Sequence, residues 1–187
     1  MAQKQNKLNI IIGCMFSGKT SELMRECRRR LYNKQSVLAI NYIDDTRYTT
    51  EDYIVSHNLE KIKCIRVKYL KEIPNEEILK VDFIFIDEGQ FFSDLNEYVS
   101  KWCDEYKKNI TVVGLDGDYK RQPFGQILDL IPKCDNIIKL KALCVMCNDD
   151  TDGLFTHRIT KENDQISIGV DNYIPLCRYH YNDANKN

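Results

Sequence analysis

The sequence predicts an α/β fold, a parallel sheet with helices on both faces, followed by a small C-terminal domain of different texture. Three observations predict it. Short apolar runs without polar alternation recur at residues 8–12, 37–42, 62–67, 81–86 and 110–115, the pattern of strands covered on both faces. Helix-like segments fall between them, at 18–34, about 70–80 and 93–107, and strands that alternate with helices build parallel sheets. After Leu140 the chain turns to paired cysteines, turn residues and two strand-like pieces, FTHRIT and QISIGV, joined by KEND. A boundary is expected there, between residues 1–140 and 141–187.

The elements follow in order. The run LNIII ends at Gly13, and segment 18–34 sets Leu23, Met24, Cys27 and Leu31 on one face. Within it Arg28, Arg29 and Arg30 could be read as a nucleic-acid patch, but successive helical residues diverge by about 100°, so a solvated face is the better reading. VLAINY and IKCIRV supply the next two strands, then a helical segment near 70–80 leads to VDFIFI. Ser93 and Asp94 are candidate N-caps for the helix at 93–107, and ITVVGL closes the series.

The bulk numbers bound the class. With 187 residues, 43% hydrophobic, 29% charged and a formal net charge of -1, the chain reads as a globular protein of ordinary domain size. Near-neutral charge argues against nucleic acid as the main partner. MAQKQNKLN has no apolar stretch behind its lysines, and no run approaches the roughly 20 residues of a membrane span, so no membrane partner and a cytoplasmic location are expected. The eight cysteines are scattered, with Cys27, Cys64, Cys103 and Cys134 solitary, which suits a reducing compartment better than a disulfide scaffold.

Residues 13–20 read GCMFSGKT, a full match to GxxxxGK[ST], placed after an apolar strand and before an amphipathic helix. Gly13, Cys14, Met15, Phe16, Ser17 and Gly18 would curl their amides around phosphate, Lys19 would reach the terminal phosphates, and the Thr20 hydroxyl would ligate Mg2+. Such a loop needs a carboxylate at the end of a second buried strand, and VDFIFIDEGQFF supplies Asp87. Glu88 beside it can accept a proton from an attacking nucleophile. The loop does not choose the acceptor: water makes an ATPase, a bound hydroxyl a kinase. DEGQ also occurs in helicase motors, but those use two nucleotide-binding lobes, and a single phosphate loop in this length favours a small-molecule kinase.

CVMC and CRYH pair Cys144 with Cys147 and Cys177 with His180, separated by 29 residues. This is a Cys3His set for structural Zn2+, closed and tetrahedral. The interval exceeds the about 15–20 residues of a common zinc ribbon and leaves room for a lasso whose ends the metal fixes. His57 and His157 have no such company and read as ordinary polar residues.

The motifs GCMFSGKTSELMR, DTRY, IDEGQFF, LDGDYKRQPFG, CVMC and YIPLCRYH together resemble the cytosolic, zinc-containing thymidine kinases shared by animals, bacteria and large DNA viruses, over nearly the whole chain. The resemblance implies a P-loop (RecA-like) sheet with a zinc-ribbon and lasso domain, and transfer of the ATP γ-phosphate to the 5′-hydroxyl of thymidine or deoxyuridine. It makes Glu88 the general base, Arg47 a mobile arginine approaching the phosphates, and Asp45 part of the same segment. The pyrimidine would lie among Met15, Phe91, Leu115, Tyr119, Phe124 and Tyr173, with Thr156 near its 5-position and the backbone of Ile168, Gly169 and Val170 pairing with its edge. A homotetramer is implied as well. Three positions depart from the family pattern: Cys14 stands where proline is common, Tyr119 where phenylalanine is frequent, and His180 where many members have cysteine. Two other readings stay open, a nucleic-acid-stimulated ATPase with a zinc ribbon and a zinc-ribbon binding module without catalysis.

Overall fold

The computed structural model describes residues 6–45, 51–56, 58–160, 165 and 172–186. In chain order the elements are β1 (Leu8–Gly13), α1 (Lys19–Tyr32), β2 (Val37–Tyr42), β3 (Tyr53–Val55), β4 (Lys61–Lys63), β5 (Ile65–Val67), α2 (Asn75–Leu79), β6 (Phe83–Ile86), α3 (Leu95–Asp104), β7 (Asn109–Gly114) and β8 (Asn136–Leu140). Past Leu140 come β9 (Ala142–Leu143), β10 (Asp152–Gly153), β11 (Phe155–Arg158), β12 (Tyr173–Leu176) and α4 (Arg178–Ala184).

Six strands form one parallel sheet in the order β5-β2-β6-β7-β1-β8. Because strand side chains alternate between faces, each apolar run feeds two cores. Ile10, Ile84, Ile86, Ile110 and Val112 pack under α2 and α3 with Ile78, Leu95, Val99 and Trp102. Ile11, Ala39, Phe83, Phe85 and Val113 pack under α1, against Leu23, Met24 and Cys27, with Ile54 and Ile62 of the antiparallel β3–β4 pair beside them. Helices on both faces of a parallel sheet are what the alternation predicts.

The differences have local causes. The 62–67 run is not one strand: the Cys64 amide donates to Asp52 O (2.9 Å), so Ile62 belongs to β4 and only Ile65–Val67 joins the sheet. Pro74 breaks the 70–80 segment into a tight turn at Leu70–Glu72 and the short α2, since proline restricts the residue before it and has no amide to donate. Asp94 caps that turn and not its own helix, its carboxylate accepting from the amides of Leu70 (3.1 Å) and Lys71 (3.0 Å). Leu31, expected on the buried face of α1, is exposed in the last turn. β8 was not expected: at the sheet edge, it leaves Ile137 and Ile138 half open to solvent and has no covered-strand signature. FTHR pairs antiparallel with β12, and QISIGV lies outside the described residues apart from Gln165.

The arginine triplet is a solvated face, with Arg28 on Glu60 (2.9 Å), Arg29 on Glu26 (3.0 Å) and Arg30 stacked over Phe83 (4.6 Å). Among the described residues no helix is long and apolar enough to cross a membrane. Cys27, Cys64 and Cys103 are buried free thiols, and burial pushes Cys27 up to about 11 and Cys64 up to about 12.

Candidate active site

The loops that follow β1, β2, β6 and β7 leave the same, carboxyl edge of the sheet, where ligands bind in open α/β folds. After β1 the backbone curls through left-handed conformations at Phe16 (φ 64°) and Gly18 (φ 82°). Gly13 has no room for a side chain, since a Cβ there would strike the Leu140 carbonyl. The Cys14 carbonyl gathers the loop, accepting from the Ser17 hydroxyl (2.8 Å) and the Lys19 ammonium (2.7 Å). Thr20, in the first turn of α1, donates to Asp87 Oδ1 at 3.4 Å. Hydroxyl and carboxylate oxygens at this separation are the donor type Mg2+ takes.

Asp87 and Glu88 leave the end of β6 and are both buried, 2% and 5% exposed. The Glu88 amide donates to Asp87 Oδ1 (3.0 Å). Glu88 itself is left-handed (φ 52°, ψ 40°), a conformation that costs a non-glycine residue on the order of 1–3 kcal/mol and gathers at functional sites. Gln90 holds it there: its amide nitrogen donates to Glu88 Oε2, while its Oε1 accepts from the Leu115 amide (3.0 Å). A Cβ on Gly114 would collide with that same Gln90 oxygen. Sequence reasoning missed Gln90; its signal was its place two residues past the base candidate in DEGQ.

Several of the predicted aromatics contact one another or share an arginine. Phe91 meets Phe124 edge-on (5.4 Å between centroids, 90°) and Tyr42 on another side (5.2 Å). Leu115 is half-buried just past β7. Met15 and Thr156 are in contact, the Met15 amide donating to the Thr156 hydroxyl (3.0 Å). Tyr119 and Tyr173 are joined through buried Arg158, whose guanidinium lies 3.9 Å from the Tyr119 ring and 5.1 Å from the Tyr173 ring and donates to the Tyr173 hydroxyl. The departure at Tyr119 thus puts its ring under an arginine, and Arg158 is a second residue not foreseen for the site. Asp45 accepts from the Asn41 amide (3.0 Å), and Arg66 ties the segment by donating to Ile43 O (2.6 Å), Asp45 O (2.7 Å) and Glu51 O (3.2 Å). Arg47, His57, Ile168, Gly169 and Val170 lie outside the described residues.

The four expected metal ligands converge. With Zn–S of about 2.3 Å and Zn–N of about 2.0–2.1 Å, a tetrahedron has S–S edges of about 3.8 Å and S–N edges of about 3.5 Å. Cys147 Sγ and Cys177 Sγ are 3.8 Å apart, and His180 Nδ1 lies 3.5, 3.3 and 3.4 Å from the sulfurs of Cys144, Cys147 and Cys177. The set fits zinc through Nδ1 of the histidine, so His180 in place of a fourth thiolate leaves the geometry intact. His157 instead lies by Asn185 (3.2 Å) and Tyr181, as an ordinary polar residue would.

The chain is similar to known proteins over most of its length. The family model described as thymidine kinase matches residues 6–181. The chain is 39% identical over 184 residues to a thymidine kinase of Oryza sativa subsp. japonica, covering 95% of this chain and 67% of the relative. It is 34% identical over 181 residues to the cytosolic thymidine kinase of Homo sapiens, covering 96% and 75% respectively. To the thymidine kinase of Yaba monkey tumor virus (strain VR587) it is 38% identical over 185 residues, 97% of each. With a GxxxxGK[ST] loop beside a buried acid pair and this likeness running almost end to end, the chain belongs to the thymidine kinase family.

Proposed function

We propose that this chain transfers the γ-phosphate of ATP to the 5′-hydroxyl of thymidine, with deoxyuridine as a second substrate, and that Glu88 is the general base. The observation that carries the reading is the meeting of two loops: the Thr20 hydroxyl reaches Asp87 at 3.4 Å, and next to Asp87 a buried Glu88 is aimed by Gln90. Glu88 takes the hydroxyl proton as the 5′-oxygen bonds to the γ-phosphorus and the bond to the β-phosphate oxygen breaks, releasing ADP. Lys19 and the amides of residues 13–18 hold the phosphates, and Arg47 and Asp45 complete that side. Thr20 and Asp87 would hold Mg2+, which neutralises phosphate charge when bound. Met15, Phe91, Leu115, Tyr119, Phe124, Thr156 and Tyr173 enclose the base, and the backbone at 168–170 reads its edge, leaving a wrong base with unpaired polar groups. Cys144, Cys147, Cys177 and His180 would hold a structural Zn2+ that fixes both ends of the intervening segment. A homotetramer in the cytoplasm completes the reading.

An ADP-release assay tests it. Turnover should appear on adding thymidine, appear more weakly with deoxyuridine, and stay near background with DNA or RNA. ADP release stimulated by nucleic acid and indifferent to thymidine would replace the kinase by an ATPase, and no release at all would leave a binding module.

A further inference from the structure

Three consecutive residues of the phosphate loop touch the chain at and beyond the end of β8. Gly13 abuts the Leu140 carbonyl, the Cys14 thiol donates to the Gly153 carbonyl (3.2 Å), and the Met15 amide donates to the Thr156 hydroxyl (3.0 Å). Cys14, Gly153 and Thr156 are all buried. The segment they touch is tied to both ligand pairs. On one side Gly153 pairs with Ala142 and the amide of ligand Cys144 donates to Thr151 O (2.8 Å). On the other the Leu154 amide donates to Leu176 O (2.9 Å), the residue before ligand Cys177, and Thr156 pairs with Pro175. At the loop end of this chain of contacts, the Cys14 carbonyl is the resting anchor of the Lys19 ammonium (2.7 Å).

We propose that Cys14 is a positioning residue that couples the Cys3His cluster to the grip on ATP: its thiol keys the phosphate loop to Gly153, its carbonyl sets Lys19, and ordering of the cluster by metal therefore tightens nucleotide binding. The inference rests on the kinase reading of the same loop. Burial pushes the Cys14 thiol up, so it keeps the proton it donates. A cluster whose only task was to hold the nucleoside side of the site would leave ATP affinity indifferent to metal.

The test is equilibrium binding of ATP, read by fluorescent-analogue displacement, in zinc-loaded and chelator-stripped protein, with zinc content measured on each sample. A net intramolecular hydrogen bond is worth about twofold to tenfold in an equilibrium, and a thiol donor falls at the low end. Stripping should weaken ATP binding by wild-type protein, and Cys14→Ala should weaken it by about twofold to fivefold while zinc stays bound. In Cys14→Ala, stripping should then cost less than it does in wild type, because coupled changes are not additive. Cys14→Ser, which keeps a donor, should restore the dependence on metal even if Cys14→Ala folds poorly. Equal losses on stripping in wild type, Cys14→Ala and Cys14→Ser, or ATP affinity that ignores the metal, would overturn the coupling. Thymidine-dependent ADP release in the loaded wild type reports separately on the kinase reading.

Discussion

Trp102, Phe85 and Phe92 are fully buried around the six-stranded sheet, whereas among the described residues the buried apolar cluster past Leu140 consists of Cys144, Leu176, Cys177 and Tyr181, two of them proposed zinc ligands. The first region holds its loops through apolar area on both faces of the sheet, a non-directional force that grows with surface buried. The second has a smaller apolar cluster among the described residues, and we propose that four directional bonds to one Zn2+ fix its geometry. On the proposed reading the active site is assembled across the two: the GxxxxGK[ST] loop and acid pair stand on the sheet, while Thr156, Arg158 and Tyr173 come from β11 and β12 beside the Cys3His cluster. On that reading, precision at the acids depends on packing, and precision at the proposed base-enclosing wall depends on metal.

Substitutions should separate the two regions, beginning with the largest effect. Cys177→Ser should take bound zinc from one per chain to none and raise amide exchange in β11 and β12 by orders of magnitude, with β1, β6 and β7 still protected; retained zinc would break the contrast. Trp102→Ala, by contrast, should lower unfolding free energy by about 3–5 kcal/mol in urea titration and leave zinc content unchanged. Gln90→Leu removes a buried side-chain amide from both of its partners, the Glu88 carboxylate and the Leu115 N–H, and with Glu88 no longer aimed thymidine-dependent kcat should fall by about tenfold with the ATP KM little altered. Burial holds His157 below its ordinary value. Its neutral form is thus favoured in the fold, and the stability of the C-terminal region should be full above the unfolded histidine pKa and fall as pH drops below it, measured by thermal melts of zinc-loaded protein. Arg28→Ala should change stability by less than about 0.5 kcal/mol, because its pair with Glu60 is exposed.

What was legible in the sequence was whatever a short window contains. The strands at Leu8, Val37, Phe83 and Asn109 announced themselves because burial on both faces leaves an unbroken apolar run, and the phosphate loop, the Asp87–Glu88 step and the CxxC and CxxH pairs are local spacings. NIIKL was not legible because an edge strand lacks that cover, and the 70–80 segment misled because a helical pattern was read through Pro74. The site's supports were hidden for a different reason. Gln90 reaches Leu115, Arg158 stacks on Tyr119, Cys14 meets Gly153 and Asp94 caps Leu70, and each contact depends on chain folding that brings distant residues together. Local chemistry could be read along the chain, but the partners that orient it could not.

The central claim is that Glu88 removes the proton from the nucleoside hydroxyl while the phosphate loop grips ATP independently of it. Single-turnover phosphorylation of thymidine by wild type and Glu88→Gln, with ATP Kd measured on the same preparations, tests this most directly. The transfer rate should fall by about 10²- to 10⁴-fold while Kd stays within about twofold. A variant that transfers phosphate at the wild-type rate would contradict the account.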